Sequence, residues 1–210
     1  MVVGLGTGST ATFATQQIAR LLQAGRLQGI VGFATSQISW DEAQKIGIPM
    51  MAEEMMRDID LTIDGADEID PDLNLIKGGG GALLREKIVA QASRRVIIVA
   101  DDSKLSPRLG TLNALPIEVF AFGWRSQFRY LESLGAKVEV RRMANGAPFV
   151  TDSGNMILDC RFGQVFNPVE LTSVLSARAG IVEHGLFLGL TTDVIIAGSN
   201  GVRHLRKKVI

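Results

Sequence analysis

Cysteine is nearly absent: Cys160 is the single one in 210 residues. An intramolecular disulfide and a multi-cysteine zinc site are therefore excluded, and a reducing, cytoplasmic setting is expected. Histidine is almost as scarce. His184 and His204 stand apart from any ligand-like partner and are read as structural or exposed side chains. With no histidine near it in the chain, Cys160 reads as a small buried hydrophobe rather than a nucleophile. An excess of charge of either sign is lacking too, because 22 Lys and Arg balance 22 Asp and Glu. Neither nucleic acid nor an anionic membrane is expected as a partner on electrostatic grounds. No apolar run reaches membrane-spanning length, and no charged segment followed by a long apolar stretch suggests a secretory signal. Internal repeats and low-complexity tracts are missing as well.

What remains is an ordinary globular composition, 46% apolar and 21% charged, long enough for one large or two small domains with a real core. Met1 to Leu5 is a short apolar run without alternation, as in a strand buried on both faces. Gly6-Thr7-Gly8-Ser9-Thr10 follows, and Thr12 to Gln23 carries apolar residues at helical spacing. Strand, Gly/Ser/Thr turn and helix together make a place for an anion at a helix N-terminus; a plain capped turn is the alternative. The glycine spacing is wrong for a dinucleotide fingerprint, since Ser9 stands where the third glycine is needed, and no Gly-Lys-Ser/Thr follows. Ile30 to Ala34 is the next strand. Ser39 to Ile46 reads as a helix with Ser39 as N-cap and Glu42 as its box partner. Met50, Met51, Met55 and Met56 read as core filling.

The densest stretch is Asp60 to Lys87, DLTIDGADEIDPDLNLIKGGGGALLREK. Leu61-Thr62-Ile63 reads as a buried strand ending at Asp64, with Asp67 on the loop that leaves it. Lys77 precedes Gly78, Gly79, Gly80 and Gly81, and Ala82 to Ala92 reads as a helix with Glu86 about one turn inside. Val96-Ile97-Ile98-Val99 is a further buried strand, ending in Asp101-Asp102-Ser103-Lys104. Three apolar strands thus deliver polar groups at their C-terminal ends, the edge where an open parallel sheet binds its ligand. A solvated acidic loop followed by a flexible linker is the competing reading.

After Gly110 the style changes. Pro116 to Phe120 reads as a strand, Trp124 to Leu134 as a helix, Ala136 to Arg141 as a half-exposed strand and Val150 to Cys160 as a hairpin. A helix begins at Asn167-Pro168, and Gly180-Ile181-Val182 reads as a short strand. Leu186 to Gly189 and Val194 to Ala197 resume the earlier style, and Arg203, His204, Arg206, Lys207 and Lys208 read as a solvated tail. The fold class expected is α/β, a Rossmann-like parallel-sheet domain (1–112 plus 184–210) with a smaller inserted α+β domain (113–183).

Read as chemistry, a phosphate cradle beside a positioned carboxylate suggests proton transfer on a phosphorylated small molecule. Glu86 could take a proton next to a carbonyl, Lys77 could stabilise the resulting oxyanion, and Asp64 or Asp67 could move protons on hydroxyls. A metal site in the acidic run is the alternative, disfavoured by Lys77 and by the lack of an EF-hand pattern; no metal is expected.

Several motifs, in order and spacing over nearly the whole chain, resemble ribose-5-phosphate isomerase of type A. They are Gly4 to Thr10 (GLGTGST), Asp64 to Glu68 (DGADE), Ile76 to Gly80 (IKGGG), Arg85 to Lys87 (REK), Ala100 to Lys104 (ADDSK) and Thr151 to Asn155 (TDSGN). The resemblance implies interconversion of D-ribose 5-phosphate and D-ribulose 5-phosphate in the pentose phosphate pathway, without cofactor, by a homodimer or homotetramer. It implies that Glu86 shuttles the proton through an enediolate, that Lys77 stabilises that anion and that Asp64 assists ring opening. Thr7, Gly8, Ser9 and Thr10 would hold substrate near its phosphate, with Lys104 adding positive charge. Gly65, Ala66 and Asp67, with Gly78, Gly79 and Gly80, would complete the substrate contacts. Members of the family usually carry a helix, with a lysine near the substrate, ahead of the first strand, which here starts at Met1; adding such a segment is expected to improve substrate binding or solubility. Other sugar-phosphate enzymes of this broad fold, such as amino-sugar-phosphate deaminases and lactonases, would be expected to place a histidine near these motifs. A sugar-phosphate-sensing effector domain would not need Glu86.

Overall fold

The computed structural model describes residues 1–163 and 167–207. It divides into two compact units. The first comprises Met1–Ala66, Arg85–Ser103 and Leu190–Ile210; the second comprises Asp67–Leu84 and Lys104–Gly189.

The first unit is built on β1 (Val2–Leu5), β2 (Val31–Ala34), β3 (Leu61–Asp64), β6 (Val96–Asp101), β12 (Asp193–Gly198) and β13 (Gly201–Arg206), paired in the order β13-β12-β6-β3-β1-β2. All pairings are parallel except β12 with β13. Every residue of β1 is buried, which is why the strand reads as an apolar run without alternation. The chain passes from β1 to β2 on one side, then returns across β1 to β3, β6 and β12. The order therefore reverses between β1 and β3, the kind of switch point at which open α/β sheets take their ligands. Helices α1 (Ser9–Gln23) and α2 (Gln37–Lys45) supply the crossovers. Ile18 and Ala19 of α1 and Ala43 of α2 share a core with Val3, Leu5, Ile30 and Ile48. A second cluster joins Val2, Phe33, Met51 and Ile59 to Val89 of α3 (Leu83–Gln91).

The second unit holds a four-stranded antiparallel sheet, β10-β7-β9-β8, from β7 (Leu115–Val119), β8 (Lys137–Val140), β9 (Met156–Arg161) and β10 (Ile181–His184). Helices α4 (Trp124–Ser133) and α5 (Pro168–Ser176) pack on it. Its core includes Leu115, Ile117, Val119, Leu131, Leu158, Cys160 and Leu175. Burial pushes the Cys160 thiol well above its ordinary value, as expected of a small hydrophobe. A three-stranded sheet, β11-β5-β4, joins β4 (Glu68–Ile69), β5 (Leu75–Ile76) and β11 (Leu186–Phe187).

Several expectations shift. The smaller unit is wider than 113–183, because β4 and β5 pair with β11 rather than with the large sheet. Segments 67–84, 104–112 and 184–189 therefore belong to it. The N-cap of α2 is Ser36, whose hydroxyl accepts the Ser39 amide, so the helix starts one turn ahead of expectation. Helix α1 likewise starts at Ser9 rather than Thr12. Arg203, His204 and Arg206 lie on β13, a paired edge strand and not a free tail; Lys208 lies outside the described residues. Among the methionines read as core, Met55 is exposed while Met51 is buried.

Candidate active site

The residues expected to bind or act are distributed over both units, and each group has its own local construction. In the first unit they gather at the C-terminal ends of β1 and β3. Gly8 is the N-cap of α1, with φ 118°, and no side chain caps the helix. The first amides of α1, with the hydroxyls of Ser9 and Thr10, form a helix N-terminus suited to an anion.

Thr7 turns the other way. Its hydroxyl lies 2.7 Å from the Thr35 hydroxyl, donates to Ser36 Oγ at 2.8 Å and lies 3.1 Å from Ser39 Oγ. Thr35 Oγ1 donates to the Leu5 carbonyl and Ser39 Oγ to the Gly6 carbonyl. Thr35, Ser36 and Ser39 are all buried. These four hydroxyls fix the loop leaving β1 against the turn leaving β2. The Thr7 amide in turn donates to Asp64 Oδ1 at 3.2 Å, and the Gly65 amide reaches the same oxygen at 2.7 Å. Asp64 is 2% exposed. It sits at the end of β3, with Gly65 and Ala66 partly open on the loop beyond.

Glu86 lies in the first turn of α3 and is 3% exposed. Its neighbour Lys87 is also buried, whereas Arg85 makes a 3.1 Å ion pair with the exposed Glu53.

In the second unit, Asp67 and the glycine run are held together. The Asp67 amide donates to the Ile76 carbonyl, and its carboxylate accepts the Gly79 amide at 2.7 Å. A Cβ at Gly79 would stand 2.6 Å from Asp67 Oδ1, so a side chain there would push the carboxylate aside. Lys77 is 3% exposed and follows β5 directly; its amide donates to the Gly185 carbonyl and its ammonium lies 5.7 Å from the Phe187 ring centre. A cation placed against an aromatic face in a low-dielectric setting acts more strongly on a developing anion than it would in water. Gly80 is exposed, and Lys104 closes a single 3₁₀ turn, Asp102–Lys104, half-buried.

Other acidic residues of the central stretch are structural. Glu68 is fully buried and accepts the amides of Thr111, Leu112 and Asn113 at 3.1, 3.3 and 3.0 Å. Asp70 accepts the amides of Asp72 and Asn74, a local turn. Among the described residues, no three His, Cys, Asp or Glu side chains come together as a metal site.

Three features were not apparent from the sequence. One is the hydroxyl set Thr35, Ser36 and Ser39. The second is Arg141, whose guanidinium donates to the carbonyls of Gly78 and Gly79 at 2.6 and 3.0 Å. The third is Glu118, 1% exposed, which accepts the Thr151 hydroxyl and the Asn155 amide, both at 2.9 Å. Burial raises the Glu118 pKa above the ordinary carboxylate value, opposed by hydrogen bonds from Asn155, Thr151 and the Leu84 backbone. The TDSGN motif was the one signal for this arrangement, because Thr151 and Asn155 are its first and last residues.

A sequence model of ribose 5-phosphate isomerase A (phosphoriboisomerase A) matches residues 31–201. The chain is 58% identical to ribose-5-phosphate isomerase A of Chloroflexus aurantiacus over 205 residues, 98% of this chain and 86% of that one. It is 57% identical to that of Desulfatibacillum aliphaticivorans, over 98% and 90% of the two chains. Ribose 5-phosphate isomerase from Plasmodium falciparum superposes with a TM-score of 0.95 at 40% identity, covering 100% of this chain and 92% of that one. A D-ribose-5-phosphate isomerase in complex with phospho-erythronic acid gives a TM-score of 0.95 at 36% identity, covering 98% and 90%. The chain belongs to the ribose 5-phosphate isomerase A family.

Proposed function

We propose that this protein interconverts D-ribose 5-phosphate and D-ribulose 5-phosphate, the aldose–ketose step of the non-oxidative pentose phosphate pathway, with Glu86 as the proton-transferring base. The chain is an isomerase by family. The observation that carries the choice of Glu86 is its position, a buried carboxylate in the first turn of a helix. The phospho-erythronic acid bound by the related enzyme is a phosphorylated sugar acid whose planar carboxylate imitates a planar enediolate.

In the forward direction Asp64 helps to open the furanose ring, giving the free aldehyde. Glu86 removes the proton from C2, the C–H electron pair forms the C1=C2 double bond, and the former carbonyl oxygen O1 takes the negative charge of the enediolate. Lys77 stabilises that charge. A proton passes from O2 to O1, Glu86 returns its proton to C1, and the ketone forms at C2. Hydrogen shifts within one molecule, so the step needs no redox cofactor. Asp67 orients hydroxyls, with Gly65, Ala66, Gly78, Gly79 and Gly80 completing the contacts. Ser9, Thr10 and the amides of the α1 N-terminus take the phosphate beside Gly8, Thr7 serves the substrate site by anchoring the loop that carries them, and Lys104 adds charge.

The enzyme works as a homodimer or homotetramer in the cytoplasm, in keeping with its single, buried cysteine. Among the described residues no helix is long and apolar enough to cross a membrane. The decisive experiment is a coupled assay of ribose 5-phosphate isomerisation with Glu86→Gln beside wild type. The variant is expected to lose at least about 10²-fold in kcat with a modest change in KM. Full activity in Glu86→Gln would remove Glu86 from the mechanism.

A further inference from the structure

Between Lys77 and Glu86 the chain runs through four consecutive glycines. A glycine run is the most flexible backbone a protein can use, yet catalysis requires the groups at its two ends to be held within fractions of an ångström. Something outside the run must supply the rigidity. Within the second unit, two side chains of the four-stranded sheet region do so.

The first is Arg141, immediately after β8. Its amide donates to the Ile157 carbonyl and its carbonyl accepts the Phe149 amide, so its backbone is tied on both sides. The β8–β9 register pairs Glu139 with Asp159; two residues along, Arg141 returns to the same face as Asp159. Asp159 grips the guanidinium in a fork, from Nε to Oδ2 at 2.9 Å and from Nη2 to Oδ1 at 2.5 Å. The remaining nitrogen, Nη1, reaches over the glycine run and donates to both the Gly78 and Gly79 carbonyls. A planar, pre-oriented donor on two successive carbonyls fixes the plane of the peptide between them. That peptide carries the Gly79 amide, which donates to Asp67.

The second is Glu118 on β7. Its Oε1 is held by Thr151 and Asn155, and Thr151 Oγ1 also accepts the amides of Ser153 and Asn155. The turn that follows Val150 is thus folded around the carboxylate. The carboxylate also accepts the backbone N–H of Leu84, the second residue of α3. That amide is one of the donors a helix leaves open at its start, and a carboxylate there complements the helix dipole. Glu118 caps α3 from a distant strand. Between the two holds, a Cβ on Gly81 would lie 2.4 Å from the Phe149 ring, so the run is packed as well as bonded.

We infer that Arg141 and Glu118 are positioning residues that clamp the Gly78–Leu84 segment at its two ends and so hold the chain that follows Lys77 within the second unit. The catalytic consequence rests on the proposal that Lys77 and Glu86 carry the chemistry. The mechanical part, that the segment is held by these two side chains, stands independently of it.

The test uses Arg141→Met, Arg141→Lys, Asp159→Asn, the double variant Arg141→Met/Asp159→Asn, and Glu118→Gln, with kcat, KM, thermal melting and amide hydrogen exchange on the intact enzyme. Arg141→Met is expected to lower kcat by about 10- to 100-fold, a misplacement effect, with a smaller change in KM. Arg141→Lys should recover only part of the loss, since lysine cannot hold the fork with Asp159 and still span two carbonyls. Asp159→Asn should lower kcat in the wild-type background and add nothing to Arg141→Met, because it acts only through the arginine. Exchange of the Gly78–Leu84 amides should quicken by about tenfold or more in Arg141→Met and at Leu84 in Glu118→Gln. Wild-type kcat in both Arg141→Met and Glu118→Gln, with only the melting temperature lowered, would overturn a positioning role. Unchanged exchange across Gly78–Leu84 would overturn the clamp itself. If Lys77→Met and Glu86→Gln were fully active, the site assignment would fall, and the exchange measurement would still decide the clamp. Should Arg141→Met not fold, Glu118→Gln and Asp159→Asn decide by the same readings.

Discussion

The Gly79 amide and the Asp67 carboxylate form a contact that leaves no room for a side chain: the bond is 2.7 Å long, and a Cβ on Gly79 would lie 2.6 Å from the other carboxylate oxygen. The glycine is required by this approach rather than by chain flexibility. Gly79→Ala is therefore expected to displace Asp67 and raise KM for ribose 5-phosphate by roughly tenfold, on the scale of losing one charge-assisted contact. Thermal stability should change little, because Gly79 is exposed. Steady-state kinetics decide the matter, and an unaltered KM and kcat would separate Asp67 from substrate.

The hydroxyl network around Thr7 leads to a second expectation. Thr35 is fully buried and bonds both Thr7 and the Leu5 carbonyl. Thr35→Val keeps the shape and deletes the hydroxyl. It should cost about 1–2 kcal/mol of stability, the usual effect of stranding buried partners, and lower kcat/KM through the Thr7 amide that holds Asp64. Thr35→Ser should restore both. Urea titration and the coupled assay test the pair, and a variant that loses stability while keeping full kcat/KM would confine the network to folding.

The strand framework that carries the candidate site could be read in the chain because β1, β3 and β6 are short apolar runs. The polar residues that end them, Thr7, Asp64 and Asp101, then mark one edge. Other elements carry weaker signals. Strands β4, β5 and β11 are two residues each, too short to show a period. Strand β13 is almost wholly exposed, so its Arg and His residues read as a tail. Ser36 and Ser39 are separated by one helical turn, and either could cap α2; the choice depends on Ser39 bonding the Gly6 carbonyl, a contact made 33 positions away. Arg141 and Asp159 are 18 residues apart, and their pairing is visible only once the β8–β9 register is known.

Glu68 offers a test that separates structure from chemistry within a single motif. It lies four residues beyond Asp64, yet it is turned into the second unit and receives three consecutive backbone amides. Glu68→Gln replaces one accepting oxygen by a donor facing N–H groups. A loss of about 2–3 kcal/mol is expected, typical of a buried hydrogen bond to a charged group left unmade, measured by urea unfolding. The catalytic constants of the folded enzyme should remain near wild type. A large fall in kcat without destabilisation would instead place Glu68 in the reaction.

Acid stability should depend on Asp193. Burial alone would raise its pKa, but hydrogen bonds from Thr192, Arg95 and His204, with the Arg95 charge, outweigh it and hold the carboxyl far below the ordinary carboxylate range. Asp193 begins β12 and ties the sheet to its edge: His204 of β13 lies 2.8 Å from Oδ1, and Arg206 forms an ion pair with the same oxygen at 3.2 Å. A carboxyl with a depressed folded-state pKa stabilises the protein when ionised in both states. That stabilisation is complete above the unfolded value of about 4 and is lost as pH falls through the window below it, where the unfolded chain takes up the proton first. The wild type should therefore lose stability on acidification below about pH 4 more steeply than Asp193→Asn. At neutral pH the variant should be weaker by about 1–2 kcal/mol, a modest figure because the arginine partners are largely exposed and screened. Urea unfolding from pH 7 down to pH 3 measures both quantities. Identical pH slopes for the two proteins would show that Asp193 is not the group that links acid to the loss of this sheet edge.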